Sequence, residues 1–268
     1  MTGDVSALAS GGCHLFSGCG FPAPGLQDFE WKPFFTIGSF AFTKPMLLAI
    51  LAALMVIVFF WAAFRKPKLV PRGVQNLGEM AILAIRDQIL RPSLGRRGDS
   101  YLPFLVSLFF FIYIMNVMEL IPVFQFPVTS RIGFVWPLVF IVYFLYLYLG
   151  VKNQGPWGYL KNMIPPGVPW PIYFILVPVE LLRFFVFQPF TLGVRLFGNM
   201  FAGHLLLTIF TLASWYLLSL SVGLVYAAGS FALAIFVFLL ETLVTLLQAF
   251  IFTTLTATYI ASSVEPAH

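Results

Sequence analysis

Charge is what this chain has least of. Lys, Arg, Asp and Glu make up 9% of its 268 residues, where a soluble globular domain carries roughly 25%. So few charges cannot coat a water-exposed surface, which excludes a soluble enzyme, a disordered protein and a nucleic-acid binder. Cysteine is almost missing too. Cys13 and Cys19 lie in a polar, Gly/Pro-rich leader running from Gly11 to Pro24, where an extracytoplasmic disulfide and two free thiols both stand as readings. The first 31 residues hold no Lys or Arg, so no basic n-region of a secretory signal is expected and the first span should be its own insertion signal. No fixed-period repeat is visible. Only one His falls at membrane depth, without the Ser/His/Asp set of a hydrolase triad.

What is present is grease. Hydrophobic residues reach 60%, Phe alone contributes 32, and mean hydropathy is +0.94. The cations are concentrated. Segment 65–100 holds Arg65, Lys66, Lys68, Arg72, Arg86, Arg91, Arg96 and Arg97 against Glu79, Asp87 and Asp99, which equals the whole net charge of +5. The reading is an all-α membrane protein: about five membrane-embedded helices, one amphipathic inner-surface helix, and a long, steeply tilted hairpin made by the last two. The boundaries are a leader at 1–40 and one integral membrane domain at 41–268, with the amphipathic helix at 73–91 and the hairpin at 171–262.

Residues 46–64 form a charge-free run long enough to cross a bilayer. It ends at Arg65 and Lys66, and basic loops mark the cytoplasmic side. This predicts a cytoplasmic 65–100 loop, an external N-terminus, a cytoplasmic C-terminus and, for a bacterium, the plasma membrane. Val74, Leu77, Ala81, Ala84 and Ile85 recur at helical spacing, with Ile82 and Leu83 blurring the polar face. Residues 101–124 cross outward to Pro122, a short outer loop with Arg131 follows, and 132–150 return. Segment 151–169 is a second basic inner loop. From Leu196 to Leu240 there is no charged residue, and a turn near 214–223 splits the run into two helices. A helix from about 224 to 262 would be roughly twice the hydrocarbon thickness of about 30 Å, so it must tilt, break or leave the membrane.

Ionisable groups at membrane depth cost at least about 2.5–3.5 kcal/mol and point to function. Here they are Glu119, Glu180, Arg183, Arg195, His204 and Glu241, accompanied by Asn116, Gln188, Asn199 and Gln248. Gln188, Arg195 and Asn199 share one helix face, and Gly193, Gly198 and Gly203 thin that helix for a close neighbour. Two readings of Arg195 stand: a fixed cation facing an ion path or another chain's anion, or a cation that snorkels or pairs with Glu180 or Glu241. Two readings of His204 stand: a proton-accepting pair with Glu241, if a hairpin brings the two to similar depth, or a single satisfied core histidine. Glu180 and Arg183, three apart, read as a simple ion pair or as part of a path. A secondary transporter binding an anionic substrate at Arg195 is the alternative, although such folds usually carry internal repeats.

The segment Pro189-Phe-Thr-Leu-Gly-Val-Arg195-Leu-Phe-Gly-Asn199-Met-Phe-Ala-Gly-His204, followed by Leu247-Gln248-Ala-Phe-Ile-Phe and then Tyr259, resembles subunit a of the F-type ATP synthase. Asn116-Val-Met-Glu119-Leu-Ile-Pro122 is similar to a segment of that family's outward-crossing helix. The resemblance implies a non-catalytic, proton-translocating stator subunit in the lipid bilayer, partnered by a c-ring and peripheral-stalk b subunits, with no cofactor and no metal. It implies that Arg195 stands opposite the ring carboxylates, with Gln248 facing them from the last helix. Asn116, Glu119, Asn199, His204, Glu241 and Gln248 would line the outer half-channel, and Glu180, with Arg183 beside it, the cytoplasmic one. Whether the transported ion is H⁺ or Na⁺ is not written in these residues. Two departures stand out. His204 and Glu241 look exchanged relative to some members, and the stretch from Glu180 to Pro189 looks one residue longer than the family form.

Overall fold

The computed structural model describes residues 35–37, 40–121, 124–162, 170–218 and 223–264. Cys13, Cys19, Pro122 and most of the 1–40 leader lie outside them. Two short strands, β1 (Phe35–Ile37) and β2 (Phe40–Phe42), pair antiparallel with Phe35 opposite Phe42. This hairpin is a small addition to the all-α expectation. The regular elements that follow among the described residues are all helical.

Helix α1 (Lys44–Phe64) starts on Pro45, whose missing N–H costs nothing in a first turn. It buries Leu48, Ala52, Val56 and Ala63, while Ile50, Leu54, Ile57, Val58 and Trp61 stay exposed. One stripe therefore packs on protein and the rest is free for lipid. Helix α2 (Val74–Ile85) begins after Gly73, whose φ of 62° suits a residue without a Cβ. Its inner face is Gln75, Gly78 and Ile85, with Ile82 packed beside them. Ile82 thus belongs to a protein-facing stripe and does not interrupt the polar one. Gly78 lets α2 dock on α1, because a Cβ there would lie 2.8 Å from Ala63 Cβ. A π turn (Arg86–Leu90), a short turn (Arg91–Leu94) and a 3₁₀ segment (Gly95–Tyr101) lead into α3 (Leu102–Val117).

The connection after α3, expected as a short outer loop, is packed into the protein. Phe126, Val128, Thr129 and Ser130 are buried, and the 3₁₀ turn Val128–Ser130 packs against the penultimate long helix. Thr129 Oγ1 donates to Asn116 Oδ1 at 2.6 Å, so the segment folds back into the protein. Helix α4 (Ile132–Gln154) then leads to α5 (Pro156–Asn162). Part of the second basic loop is therefore helical; 163–169 lie outside the described residues.

Helix α6 (Trp170–Leu182), a π turn (Arg183–Phe187) and α7 (Gln188–Tyr216) run on as one rod, and α8 (Gly223–Val264) returns alongside it. At 42 residues α8 is ~63 Å long and unbroken, twice the apolar thickness of a bilayer, which removes the break and leaves tilt or an end outside the membrane. It also packs on α3 and α4. Its many threonines satisfy themselves. Thr242, Thr253, Thr254, Thr256 and Thr258 each donate to the carbonyl four residues earlier. Among the described residues, five segments are long and apolar enough to cross a membrane.

The far end of α8 is clasped. Gln154 Nε2 donates to Ser263 O at 3.0 Å, the Tyr159 hydroxyl bonds Ser263 Oγ at 2.9 Å, and the Tyr159 ring lies against Gly150. Tyr159→Phe and Ser263→Ala are each expected to lower stability by about 1 kcal/mol. Because they remove the same bond, the double variant should cost little more than one of them in thermal denaturation of the purified protein. Fully additive losses would show that the hydroxyls do not cooperate.

Candidate functional site

Two cavities open along the α7–α8 hairpin, at opposite ends. The first, about 420 Å³, is lined by Glu119 and Gln125 from the α3 side, by His204, Thr208 and Thr211 of α7, and by Phe238 of α8. The second, about 300 Å³, is lined by Glu180, Arg183 and Gln188 with Tyr159, Thr258 and Tyr259. Along α7, Gln188 and His204 are separated by ~24 Å of helix axis, and Arg195 falls between them. Along α8, Phe238 and Thr258 are ~30 Å apart, with Gln248 midway. The cation and the amide thus occupy the stretch that divides one cavity from the other.

The first cavity holds the acid–base cluster. His204 Nδ1 and Glu119 Oε1 are 3.0 Å apart, and Phe126 meets the imidazole edge-on. The expected His204–Glu241 pair is therefore replaced at Nδ1 by His204–Glu119. The reason is the re-entrant connection, which brings the end of α3 against α7. Glu241 is not far off: it is 2% exposed, and its carboxylate and that of Glu119 act on one another electrostatically. Gly203 makes room for it, since any Cβ at that position would collide with the Glu241 carboxylate. The glycine row on α7 has divided uses. Gly193 sits 3.4 Å (at its notional Cβ) from Val139 of α4, Gly203 takes the carboxylate, and Gly198 has open space.

Asn199 donates from Nδ2 to Gln248 Oε1 at 2.8 Å, tying α7 to α8 one turn from Arg195. Arg195 itself is half-buried and forms no ion pair among the described residues. It acts electrostatically on Tyr259, at the rim of the second cavity. The reading in which Arg195 pairs with Glu180 or Glu241 is thereby removed. Glu180 is taken by Arg183, Nε to Oε2 at 2.7 Å, a pair whose Arg side chain is 60% exposed and so held weakly.

A π turn, Arg183–Phe187, lies between Glu180 and Gln188. A π turn absorbs one residue without breaking the rod. Eight regular steps would place Gln188 ~80° round from Glu180, whereas seven effective steps leave them ~20° apart, on one face. Both line the second cavity.

Several buried polar atoms have no partner among the described residues: Asn116 Nδ2, Glu119 Oε2, Tyr146 Oη, Gln188 Oε1, Glu241 Oε1 and Gln248 Nε2. Such atoms cost about 1–3 kcal/mol each unless water or another molecule reaches them. They cluster at the two cavities and between them. Asn116, Glu119, Asn199, His204, Glu241 and Gln248 are thus assembled at or near the first cavity and the dividing stretch, and Glu180 and Arg183 at the second. Gln125, Thr208 and Tyr159 were not anticipated. Thr208 lies one turn after His204, a usable signal; Gln125, at φ 45°, and Tyr159 are placed by tertiary folding that leaves no local mark.

The ATP synthase A chain family model matches residues 46–261, nearly the entire described region. The chain belongs to that family. It is 44% identical over 262 residues to the ATP synthase subunit a of Streptomyces lividans, covering 96% of this chain and 92% of the relative. The ATP synthase subunit a of Frankia alni is 40% identical over 250 residues, covering 91% and 86%. That of Rhodococcus erythropolis is 39% identical over 246, covering 90% and 89%. The chain is thus a bacterial membrane protein of the ATP synthase A chain family, and the matched span holds the first cavity entirely and the second but for Ser262.

Gly203→Ala is expected to push the flexible end of the Glu241 side chain aside, at a cost that the about 1 kcal/mol gained by Ala over Gly within a helix partly offsets. Adding Glu241→Ala should restore most of that loss, read as the thermal midpoint of the purified protein. No recovery in the double variant would show that Gly203 does not seat Glu241.

Proposed function

We propose that this chain is the proton-translocating stator subunit of a rotary ATP synthase, offering two offset half-channels to the carboxylates of a c-ring. ATP chemistry belongs to other subunits. The single observation that carries this reading is the pair of cavities at opposite ends of one hairpin, with an unpaired half-buried arginine between them. The outer half-channel corresponds to the first cavity, with Glu119, His204 and Glu241 as the exchangeable groups. The cytoplasmic one corresponds to the second, with Glu180. In this orientation the leader and N-terminus are external and the C-terminus is cytoplasmic, as the basic 65–100 loop requires.

The chemistry follows from solvation. A ring carboxylate facing lipid must be protonated, because the ionised form is far too costly there. Beside Arg195 the ionised form is favoured, since an opposite charge at close range stabilises it. Arginine stays protonated at every working pH, so it cannot itself relay the proton from one cavity to the other. A proton entering the first cavity passes between His204 and Glu119, moves to Glu241, and loads a ring carboxylate. It leaves by the second cavity after the ring has turned. Each charge crossing 100 mV supplies about 2.3 kcal/mol to that rotation.

Arg195→Ala should abolish ATP-driven proton pumping by the whole complex in vesicles, with the subunit still assembled. His204→Ala and Glu241→Ala should slow pumping by about tenfold or more, the scale of a lost proton-transfer group. Undiminished pumping in Arg195→Ala would overturn the reading, and wild-type rates in the other two would take them off the path.

A further inference from the structure

The proton path uses none of the cations that concentrate at the end of α1, and they are not scattered. Arg65, Lys66, Lys68 and Arg72 are all exposed and form no ion pair among the described residues. No acid lies between Phe64 and Gly78. The nearest carboxylate, Glu79, is engaged by Gln75 Nε2 at 2.8 Å, and Asp87 is held by Arg86 and Arg91 at 3.1 and 3.5 Å. The segment thus sets four unpaired cations against one nearby carboxylate, Glu79, which the neutral Gln75 amide binds without cancelling its charge.

The segment is also built. Gln75, 9% exposed, holds the backbone of Lys68 from both sides: Lys68 N donates to Gln75 Oε1 at 3.0 Å, and Gln75 Nε2 donates to Lys68 O at 2.9 Å. Pro67 and Pro71 stiffen the residues between. At the tip, Leu69 is fully exposed and Val70 is 67% exposed. Large aliphatic side chains held outward between cations are costly in water and suit an interface with an apolar side. Two further observations set the depth. The Arg65 guanidinium lies 4.9 Å over the exposed Trp61 ring at the end of α1, an arrangement typical of the headgroup level. Val74, Leu77 and Ala84 continue the exposed apolar surface along the outer side of α2.

We infer that Lys66, Lys68 and Arg72 form a preorganised site for the headgroup of an anionic phospholipid, with Leu69 and Val70 set into the acyl boundary beside it. Cations at a membrane surface attract anionic lipid by about 1 kcal/mol each, and the Gln75 clasp removes the ordering cost that a free loop would carry. The inference does not depend on the proton path, and its readout is lipid retention, not pumping.

The test uses the assembled complex in nanodiscs of phosphatidylcholine with phosphatidylglycerol titrated in, measuring by mass spectrometry the phosphatidylglycerol retained after exchange into pure phosphatidylcholine. The triple variant Lys66→Gln, Lys68→Gln, Arg72→Gln should lose roughly fivefold of the preference for each cation removed. Gln75→Ala keeps every charge but frees the loop, and should lose part of the preference. Raising the salt should erase the wild-type preference as the Debye length shrinks from about 10 Å to 3 Å, a measurement that needs no variant to assemble. Unchanged enrichment in the triple variant, or enrichment indifferent to salt, overturns the site. Loss of b subunits from the triple variant with enrichment unchanged would overturn it as well, by making the surface a protein contact. A full preference in Gln75→Ala would overturn the preorganised loop.

Discussion

A guanidinium at membrane depth without a carboxylate of its own is the constraint around which this molecule is arranged. Burying a cation costs several kcal/mol unless a counter-charge or water meets it. The chain has carboxylates within reach of its hairpin and spends them elsewhere: Glu180 on Arg183, Glu119 on His204, and Glu241 in the niche opened by Gly203. Had any of them closed on Arg195, the cation would be neutralised internally and indifferent to a neighbour. Leaving it half-buried and unpaired makes the site incomplete, which is what a stator that works on a moving partner's acids needs in the proposed mechanism.

The same logic extends to the dipoles around it. Asn199 gives its amide to Gln248 Oε1, which fixes the Gln248 head and leaves Nε2 buried without a partner among the described residues. Asn116 is bonded through Oδ1 by Thr129, leaving Nδ2 in the same state. Each amide is oriented by one end and available at the other. Contrast the threonines of α8, equally buried and equally polar, which close on their own helix carbonyls and offer nothing. Only part of the buried polarity is left open, and that part sits along the cavities and the stretch between them.

Much of this was legible in the residue order because membranes make polarity expensive. The five spans, the turn near 214–223 and the identity of the unusual side chains all follow from where charge is absent and where it intrudes. Arg195, Gln248 and the Glu180–Arg183 pair needed only helical spacing. The His204 partner did not. Choosing between Glu241 and Glu119 depends on whether the connection after α3 stays outside or folds back. That is decided by Phe126, Val128 and Thr129 packing on α7, contacts between segments some 80 residues apart that no periodicity records. Ile82 failed for a related reason: α2 has a third side, facing α1 and α3, invisible to a two-sided reading.

The π turn at Arg183–Phe187 shows how a local irregularity carries meaning only once its neighbours are known. In the fold it turns α6 by about one residue's rotation against α7, so that Glu180 and Gln188 look into the same cavity. Without it, the acid would face about a quarter-turn away from the amide, and the second cavity would have lost its only carboxylate. An insertion that would break a strand register costs a helix little, because the rod keeps its axis while its face is re-aimed. The π turn thus keeps Glu180 on the same face as Gln188, the amide that leads toward Arg195.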